Sequence, residues 1–206
     1  MEIASRTNSE HVAELLSTPT ENTVVFRAAD FSTLCEALDY SALGQTGCNF
    51  YGSRGDLRAV LSYADLREQA VSLARKLLSL RLDRGARVAI VAETDPDFHR
   101  MFFACQYAGL VPVPLSASAF MSGRQAYVAQ LTALLRVCRA SVAMAPSEFY
   151  PFMAEAAKEL NIPHIGTLEA FERLPDSQES LHPSEPHEIA YLQYTSGSTL
   201  FPRGVV

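Results

Sequence analysis

Residues 87–92, Arg-Val-Ala-Ile-Val-Ala, form a continuous apolar run in which hydrophobic and polar side chains do not alternate. A strand with one solvated face alternates, so this run predicts a strand that is covered on both faces. The segment before it, from Ser62 to Leu80, carries apolar residues at offsets of three and four. That spacing predicts an amphipathic helix, and Ser62 with Asp65 three residues later is typical of its start.

The rest of the chain up to residue 166 continues to alternate between strand and helix patterns. Further strands are predicted at 111–115, 141–145 and 163–166, further helices at 31–38, 95–108, 124–139 and 148–160, and a hairpin between 49 and 61. Such alternation favours an α/β fold, with a mostly parallel sheet flanked by helices on both faces. Pro112 and Pro114 make 111–115 an edge strand or an extended segment, because proline cannot donate to a central ladder.

The helix predicted at 95–108 contains the polar residues that first invite a catalytic interpretation. Asp95 and Asp97 flank Pro96, and helix capping explains both carboxylates better than paired acid–base chemistry does. His99 is expected to be a hydrogen-bonded structural histidine. The helix is otherwise apolar nearly all round, so we expect it to be deeply buried. Its apolar residues are Phe98, Met101, Phe102, Cys105 and Ala108.

Composition excludes several classes of function. A formal net charge of -6 over 206 residues leaves no basic footprint, so nucleic acid is not an expected partner. No apolar run approaches membrane-spanning length, and the polar start of the chain is not a signal peptide. The cysteines at 35, 48, 105 and 138 form no CxxC pair, and buried free thiols predict a reducing, cytoplasmic location. His182 and His187 lack the further ligands of a zinc site, so no metal site is predicted.

The stretch most suggestive of chemistry is residues 189–206, where a hydroxyl-rich tract separates two apolar runs. The hydroxyls can donate to phosphate oxygens, Gly197 allows close backbone approach, and Arg203 adds a fixed positive charge. The hydroxyl residues are Thr195, Ser196, Ser198 and Thr199. This is not a Walker A loop, which needs a Gly-Lys-Ser/Thr sequence opening a helix. An ordinary hairpin connection rich in Ser, Thr and Gly is the alternative.

The order of residues within this stretch resembles a known family. Tyr-Thr-Ser-Gly-Ser-Thr at 194–199, followed by Pro-Arg-Gly-Val at 202–205, is similar to the phosphate loop of the adenylate-forming superfamily. That superfamily includes acyl-CoA synthetases, peptide-synthetase adenylation domains and fatty acyl-AMP ligases. The flanking residues 193–194 and 201–204 look most like the fatty acyl-AMP ligase branch. Two positions depart from the usual pattern: Leu200 stands where glycine is usual, and Arg203 where lysine is usual.

The resemblance implies a ligase that uses ATP and magnesium to activate a fatty acid as acyl-adenylate. The acyl group would then pass to the phosphopantetheine of an acyl carrier protein, or of a polyketide or peptide synthetase. The residues that would hold the phosphates are Thr195, Ser196, Gly197, Ser198, Thr199, Arg203 and Gly204, and none is an acid, base or nucleophile. The adenine and acyl pockets, the hinge and the catalytic lysine would lie beyond Val206, so the chain is expected to be an inactive N-terminal fragment.

The sequence divides into an N-terminal segment (1–47), an α/β subdomain (48–174), a linker (175–187) and a truncated strand–phosphate loop–strand unit (188–206). Open sheet edges near the end predict a mobile loop at 195–202 or self-association of the fragment through that edge. Other hypotheses remain open. They are an acyl-CoA synthetase fragment, a stand-alone nucleotide-binding module, and a non-catalytic interaction domain.

Overall fold

Strand β3 (Arg87–Ala92) lies inside a four-stranded parallel sheet in a computed structural model that describes residues 24–117, 123–195 and 203–205. The other strands are β1 (Gly47–Tyr51), β2 (Leu57–Ser62), β4 (Val111–Ser116), β5 (Ala140–Met144), β6 (His164–Gly166), β7 (Gln193–Thr195) and β8 (Arg203–Val205). The described helices are α1 (Leu34–Ser41), α2 (Tyr63–Leu78), α3 (Pro96–Tyr107), α4 (Arg124–Cys138), α5 (Tyr150–Leu160) and α6 (Leu168–Glu172). The parallel sheet has the order β4-β3-β5-β6, and β1–β2 and β7–β8 are separate antiparallel pairs.

The central strand supplies both hydrophobic cores. Val88 and Ile90 point into a core formed with α2, α3, α6 and the β1–β2 hairpin. Ala89 and Val91 point into the opposite core, which α4 and α5 cover. All four side chains are fully buried, as the unbroken apolar run predicts for a strand between two helical layers. The prediction of a mostly parallel sheet with helices on both faces is confirmed.

Helix starts follow the predicted capping residues. The Ser62 side chain accepts a hydrogen bond from the Asp65 N–H at 3.0 Å, at the N-cap of α2. The Asp95 carboxylate accepts from the Phe98 N–H at 2.9 Å, at the N-cap of α3. These bonds satisfy backbone donors that the first turn leaves without an intrahelical partner. Capping therefore accounts for Asp95, as the sequence predicts.

Asp39 links helix α1, the first helix among the described residues, to the α/β layer, in addition to the core packing of Cys35 and Leu38. Asp39 of α1 accepts hydrogen bonds from Arg67 of α2 and Tyr107 of α3, both at 2.6 Å. Burial raises the pKa of the Tyr107 phenol, and its hydrogen bond to Asp39 adds to the effect. A single side chain thus links three helices, because an ionised carboxylate offers several acceptor positions.

One expectation for α3 is wrong. Met101 and Cys105 are fully buried, but Phe98 and Phe102 are only half-buried. Helix α3 packs against α2 and the sheet, which leaves part of its remaining face uncovered by the described residues. His99 on this helix pairs through Nδ1 with the Asp95 carbonyl at 2.9 Å, which confirms a structural role. Helix α6 was not predicted, because five residues are too short for a clear period.

The described part of the chain contains no helix long and apolar enough to cross a membrane. All four cysteines are free: Cys35, Cys105 and Cys138 are buried, and Cys48 is half-buried. Burial raises the pKa of the Cys35 thiol to about 12 and that of the Cys138 thiol to about 11. These thiols therefore stay protonated at neutral pH and act as small apolar groups.

The packing of α4 supports a stability prediction. Leu135 is 1% exposed against the sheet, whereas Val137, two residues later, is 54% exposed. We expect Leu135→Ala to lower the free energy of unfolding by about 2–5 kcal/mol, because it leaves a cavity in the core. Val137→Ala, the control on the same helix, should change it by less than about 0.5 kcal/mol. Urea denaturation measures both, and equal losses would contradict the assignment of the α4 inner face.

Candidate phosphate-binding site

The strand–loop–strand stretch predicted at the end of the sequence forms a hairpin. The antiparallel pairs are Gln193 with Val205, Tyr194 with Gly204, and Thr195 with Arg203. Thr195 and Arg203 therefore lie opposite each other at the open end of the pairing, where residues 196–202 begin and end. The backbone brings these two predicted phosphate-binding residues to one place.

Of the other predicted site residues, Gly204 is described by the structure and the residues of the hydroxyl tract after Thr195 are not. Gly204 lies in β8 opposite Tyr194. Ser196, Gly197, Ser198 and Thr199 lie outside the described residues, as does Leu200. Their assignment to phosphate binding stays a prediction, and so does the predicted mobility of the loop at 195–202.

The edge of the parallel sheet beside the hairpin can accept hydrogen bonds but is limited as a donor. The Val111 N–H donates to the Ala86 carbonyl at 3.0 Å, so the backbone groups of Val111 face the neighbouring strand β3. Backbone groups alternate in direction along a strand, so those of the next residue face away from β3, toward the open edge of the sheet. That residue is Pro112, which has a carbonyl but no N–H. The Leu192 N–H donates to this carbonyl at 3.1 Å. The predicted edge position of β4 is confirmed, and this edge is where the chain entering β7 attaches.

Side chains add to this attachment. Leu192 and Tyr194, two residues apart and so on one face of an extended chain, both pack against the core beneath α4 and α5. Burial raises the pKa of the Tyr194 phenol, while the nearby positive charge of Arg87 opposes the rise. The base of the hairpin is therefore held by backbone and side-chain contacts, immediately before the hydroxyl tract begins.

Arg84 makes the densest set of polar contacts near the hairpin. It lies in the turn between α2 and β3, and its Nε and Nη2 donate to the two carboxylate oxygens of Glu188, both at 2.6 Å. Its Nη1 donates to the His182 carbonyl at 2.7 Å, and Nη2 also donates to the Pro183 carbonyl at 2.9 Å. The hydrogen bonds from Arg84 and from the Glu185 N–H lower the pKa of Glu188 to about 2.

The polar end of α3 holds the same segment from a second side. The Ser184 N–H donates to the Gln106 carbonyl at 2.8 Å, and the Gln106 side-chain amide donates to the Ala190 carbonyl. Gln106 is 1% exposed and Ser184 8% exposed, so both polar side chains are buried with partners. The predicted linker has no helix or strand between 175 and 187, but its last residues are fixed by these bonds.

A cavity of about 300 Å³ lies between this segment and the starts of β3 and β4, with Arg84, Arg87, Val111 and Leu192 among its lining residues. Within the described ranges, the Arg87 side chain makes no hydrogen bond or ion pair. Arg84, in contrast, is engaged by Glu188. A cation without a described partner therefore lies beside the base of the hairpin.

Sequence reasoning missed the residues that hold the hairpin. Arg84 belongs to a turn that appeared only to end a helix, and Glu188 follows a polar, proline-rich stretch. Each is a common surface residue, and no local spacing relates positions separated by 104 residues. Gln106 in an apolar helix was the one visible signal, because a buried amide requires partners.

The described residues contain no group of three or more His, Cys, Asp or Glu side chains that could hold a metal ion. His187 Nδ1 lies 3.6 Å from the carboxylate of Glu185 and is exposed.

Residues 48–206 match the family model described as AMP-binding enzyme. The chain belongs to this family. A fatty acyl-adenylate ligase structure, from work on the Escherichia coli and Legionella pneumophila enzymes, matches with a TM-score of 0.82 at 45% identity. That match covers 87% of this chain and 32% of the other. The likeness identifies the fold as the one found in adenylate-forming ligases.

Two curated relatives differ in the acceptor that their names give. A putative acyl-CoA synthetase from Caulobacter vibrioides is 43% identical over 94% of this chain and 34% of its own length. A medium-chain fatty acid–[acyl-carrier-protein] ligase from Moorena producens is 30% identical over 86% of this chain and 31% of its own length. The chain spans about a third of the length of these relatives, so it corresponds to one portion of such a ligase.

The depressed pKa of Glu188 predicts a pH dependence of stability. A carboxylate whose folded pKa lies at about 2, below its ordinary 4.5, contributes stability above pH 4.5 that is lost as the pH falls toward 2. We expect Glu188→Gln to flatten this part of the stability profile relative to the unsubstituted chain. Urea midpoints measured from about pH 5 to pH 2 test it. An unchanged slope would show that the Arg84 pairing does not hold in solution.

Proposed function

We propose that this chain supplies the triphosphate-binding part of an ATP-dependent fatty acyl-AMP ligase. The observation that carries the proposal is the hairpin, which holds Thr195 opposite Arg203 at the two ends of a hydroxyl-rich tract. Membership of the AMP-binding enzyme family supports it. The likeness to a fatty acyl-adenylate ligase structure favours a fatty acid as the substrate.

In the complete reaction, an oxygen of the fatty acid carboxylate attacks the α-phosphorus of ATP. The bond to the pyrophosphate leaving group breaks, giving acyl-adenylate and pyrophosphate. The residues of this chain contribute by position and charge: hydroxyl and backbone N–H groups at 195–199 bind the β and γ phosphates, and Arg203 offsets charge on the leaving group. Magnesium would supply further charge neutralisation; the described residues contain no cluster of three or more His, Cys, Asp or Glu side chains.

The acceptor of the acyl group distinguishes two candidate functions. The Moorena relative, named for transfer to acyl carrier protein, supports a carrier phosphopantetheine as partner. The Caulobacter relative, named as a putative acyl-CoA synthetase, favours free coenzyme A. A longer polypeptide containing these residues, supplied with ATP and a fatty acid, would separate them by forming a thioester with holo carrier protein or with coenzyme A. We propose the carrier protein as acceptor.

The four free cysteines fit a cytoplasmic location.

The 206-residue chain itself is expected to bind triphosphate weakly and to be catalytically inactive. We expect calorimetry to show weak binding of ATP and of inorganic tripolyphosphate, with similar affinities, because this chain would contact only the phosphates. Adenosine should show no binding. Arg203→Ala should lower both affinities by about tenfold, since it removes a charge-assisted contact. Arg54→Ala, in the exposed turn of the β1–β2 hairpin, is the matched control and should leave them unchanged.

Two results would contradict this proposal. Binding of adenosine comparable to that of ATP would place the nucleoside, rather than the phosphates, in this chain. ATP–pyrophosphate exchange with a fatty acid above a buffer control would show that the chain is catalytically sufficient, which contradicts the expected inactivity.

A further inference from the structure

The segment from 182 to 192 contains no helix or strand, yet it determines where β7 begins. Its fixed points follow one another closely along the chain. Glu188 is held by Arg84, the Ala190 carbonyl by Gln106, and the Leu192 N–H by Pro112. Glu188 is held through its side chain, whereas the Ala190 carbonyl and the Leu192 N–H are backbone groups two residues apart, which lie on the same side of an extended chain. These bonds therefore guide the segment along the outside of the sheet up to the first residue of the hairpin.

Of the residues that hold this segment, Arg84 makes the most hydrogen bonds to it and is the most distant from it in sequence. Four of its five N–H donors are used, two on Glu188 and one each on the carbonyls of His182 and Pro183. These partners lie 98 to 104 residues away. With its donors occupied in this way, Arg84 has little capacity left to bind a ligand. Its fork instead connects the turn before β3 to the chain before β7.

The close approach of Arg84 and the His182 carbonyl to the turn after α3 depends on a glycine. Gly109 has φ +66°, and a Cβ built there would lie 2.9 Å from the His182 carbonyl oxygen and collide with the Arg84 guanidinium. Its own carbonyl accepts from the Gly85 N–H at 2.8 Å. The turn that follows α3 is thus shaped to let Arg84 reach the segment at 182–188.

We propose that Arg84 and Glu188 form a clasp that positions the hairpin carrying the candidate phosphate loop, so that Arg84 is a positioning residue for triphosphate binding. The clasp fixes the path from 188 to 192 and thereby the place on the β4 edge at which the hydroxyl tract starts. The last step, an effect on phosphate affinity, rests on the proposed function; the effect on the hairpin does not.

The pH dependence of global stability tests whether Arg84 and Glu188 pair, but it does not show whether their pairing positions the hairpin. Amide hydrogen exchange does, because it measures opening residue by residue. We expect Arg84→Ala to raise the exchange rate of the Leu192 amide by about tenfold and to change that of Ile90, in the central strand, by less than about twofold. Arg84→Lys should give an intermediate rate, because lysine keeps the charge but lacks the fork.

Two further variants sharpen the exchange measurement. Arg124→Ala is the matched control, since Arg124 of α4 pairs with Glu155 of α5 at the same 2.6 Å, and it should leave the Leu192 rate unchanged. If Arg84 and Glu188 act as one unit, the double variant Arg84→Ala/Glu188→Ala should exchange no faster than Arg84→Ala alone. An unchanged Leu192 rate in Arg84→Ala, or an equal rise at Leu192 and Ile90, would overturn the clasp.

Binding of inorganic tripolyphosphate to the same variants tests the link to the proposed function. We expect Arg84→Ala to weaken binding by at least about fivefold, with Arg84→Lys between it and the parent and Arg124→Ala unchanged. Unchanged affinity in a variant whose Leu192 exchange has accelerated would overturn the positioning role. If the parent chain binds no tripolyphosphate, the proposed function fails, and the exchange rates still decide whether the clasp positions the hairpin.

Discussion

Burial of both faces of β3 is the constraint on which the other layers depend. Val88 and Ile90 belong to one core and Ala89 and Val91 to the other, so neither helical layer can be removed without exposing part of the same strand. Burial of apolar side chains stabilises a fold roughly in proportion to the area withdrawn from water. Two helical layers bury the faces of this strand: α2 and α3 pack on one face, and α4 and α5 pack on the other.

The edge of that sheet determines where the candidate site can attach. Pro112 keeps its carbonyl but lacks an N–H, so the outer side of β4 accepts the incoming chain at this position without offering a donor in return. A limited edge of this kind discourages indiscriminate strand addition while leaving one bonding position for Leu192. The hairpin is therefore a neighbour of the sheet rather than a fifth member of it, and its position depends on side-chain contacts as well as on backbone bonds.

Electrostatics at the site separates two roles for arginine. Arg84 is paired with a carboxylate and two carbonyls, which makes it part of the scaffold. Arg203 pairs through its backbone with Thr195 across the hairpin, and its contact with phosphate stays a prediction. A chain with a net charge of -6 does not attract phosphate through its overall field, so local cations have to provide that attraction. Arg87, beside Tyr194, adds another positive charge near the hairpin base.

The sequence by itself determined the elements with strong local signals. The unbroken run at 87–92, the caps Ser62 and Asp95, and the prolines of β4 were enough to predict the parallel sheet, two helix starts and one edge, because each depends on neighbours close in sequence. The strand–loop–strand arrangement at the chain end was also visible, because a hydroxyl-rich tract separates two apolar runs.

Tertiary structure alone decided where that hairpin lies and which face of helix α3 stays partly exposed. Phe98 and Phe102 are as apolar as the buried Met101, and only the packing of α3 against its neighbours decided that they remain half-buried. Arg84 and Glu188 are separated by 104 residues and carry no local pattern. Their pairing exists because the turn before β3 and the chain before β7 meet at one end of the sheet, and proximity of that kind arises only when the chain has folded.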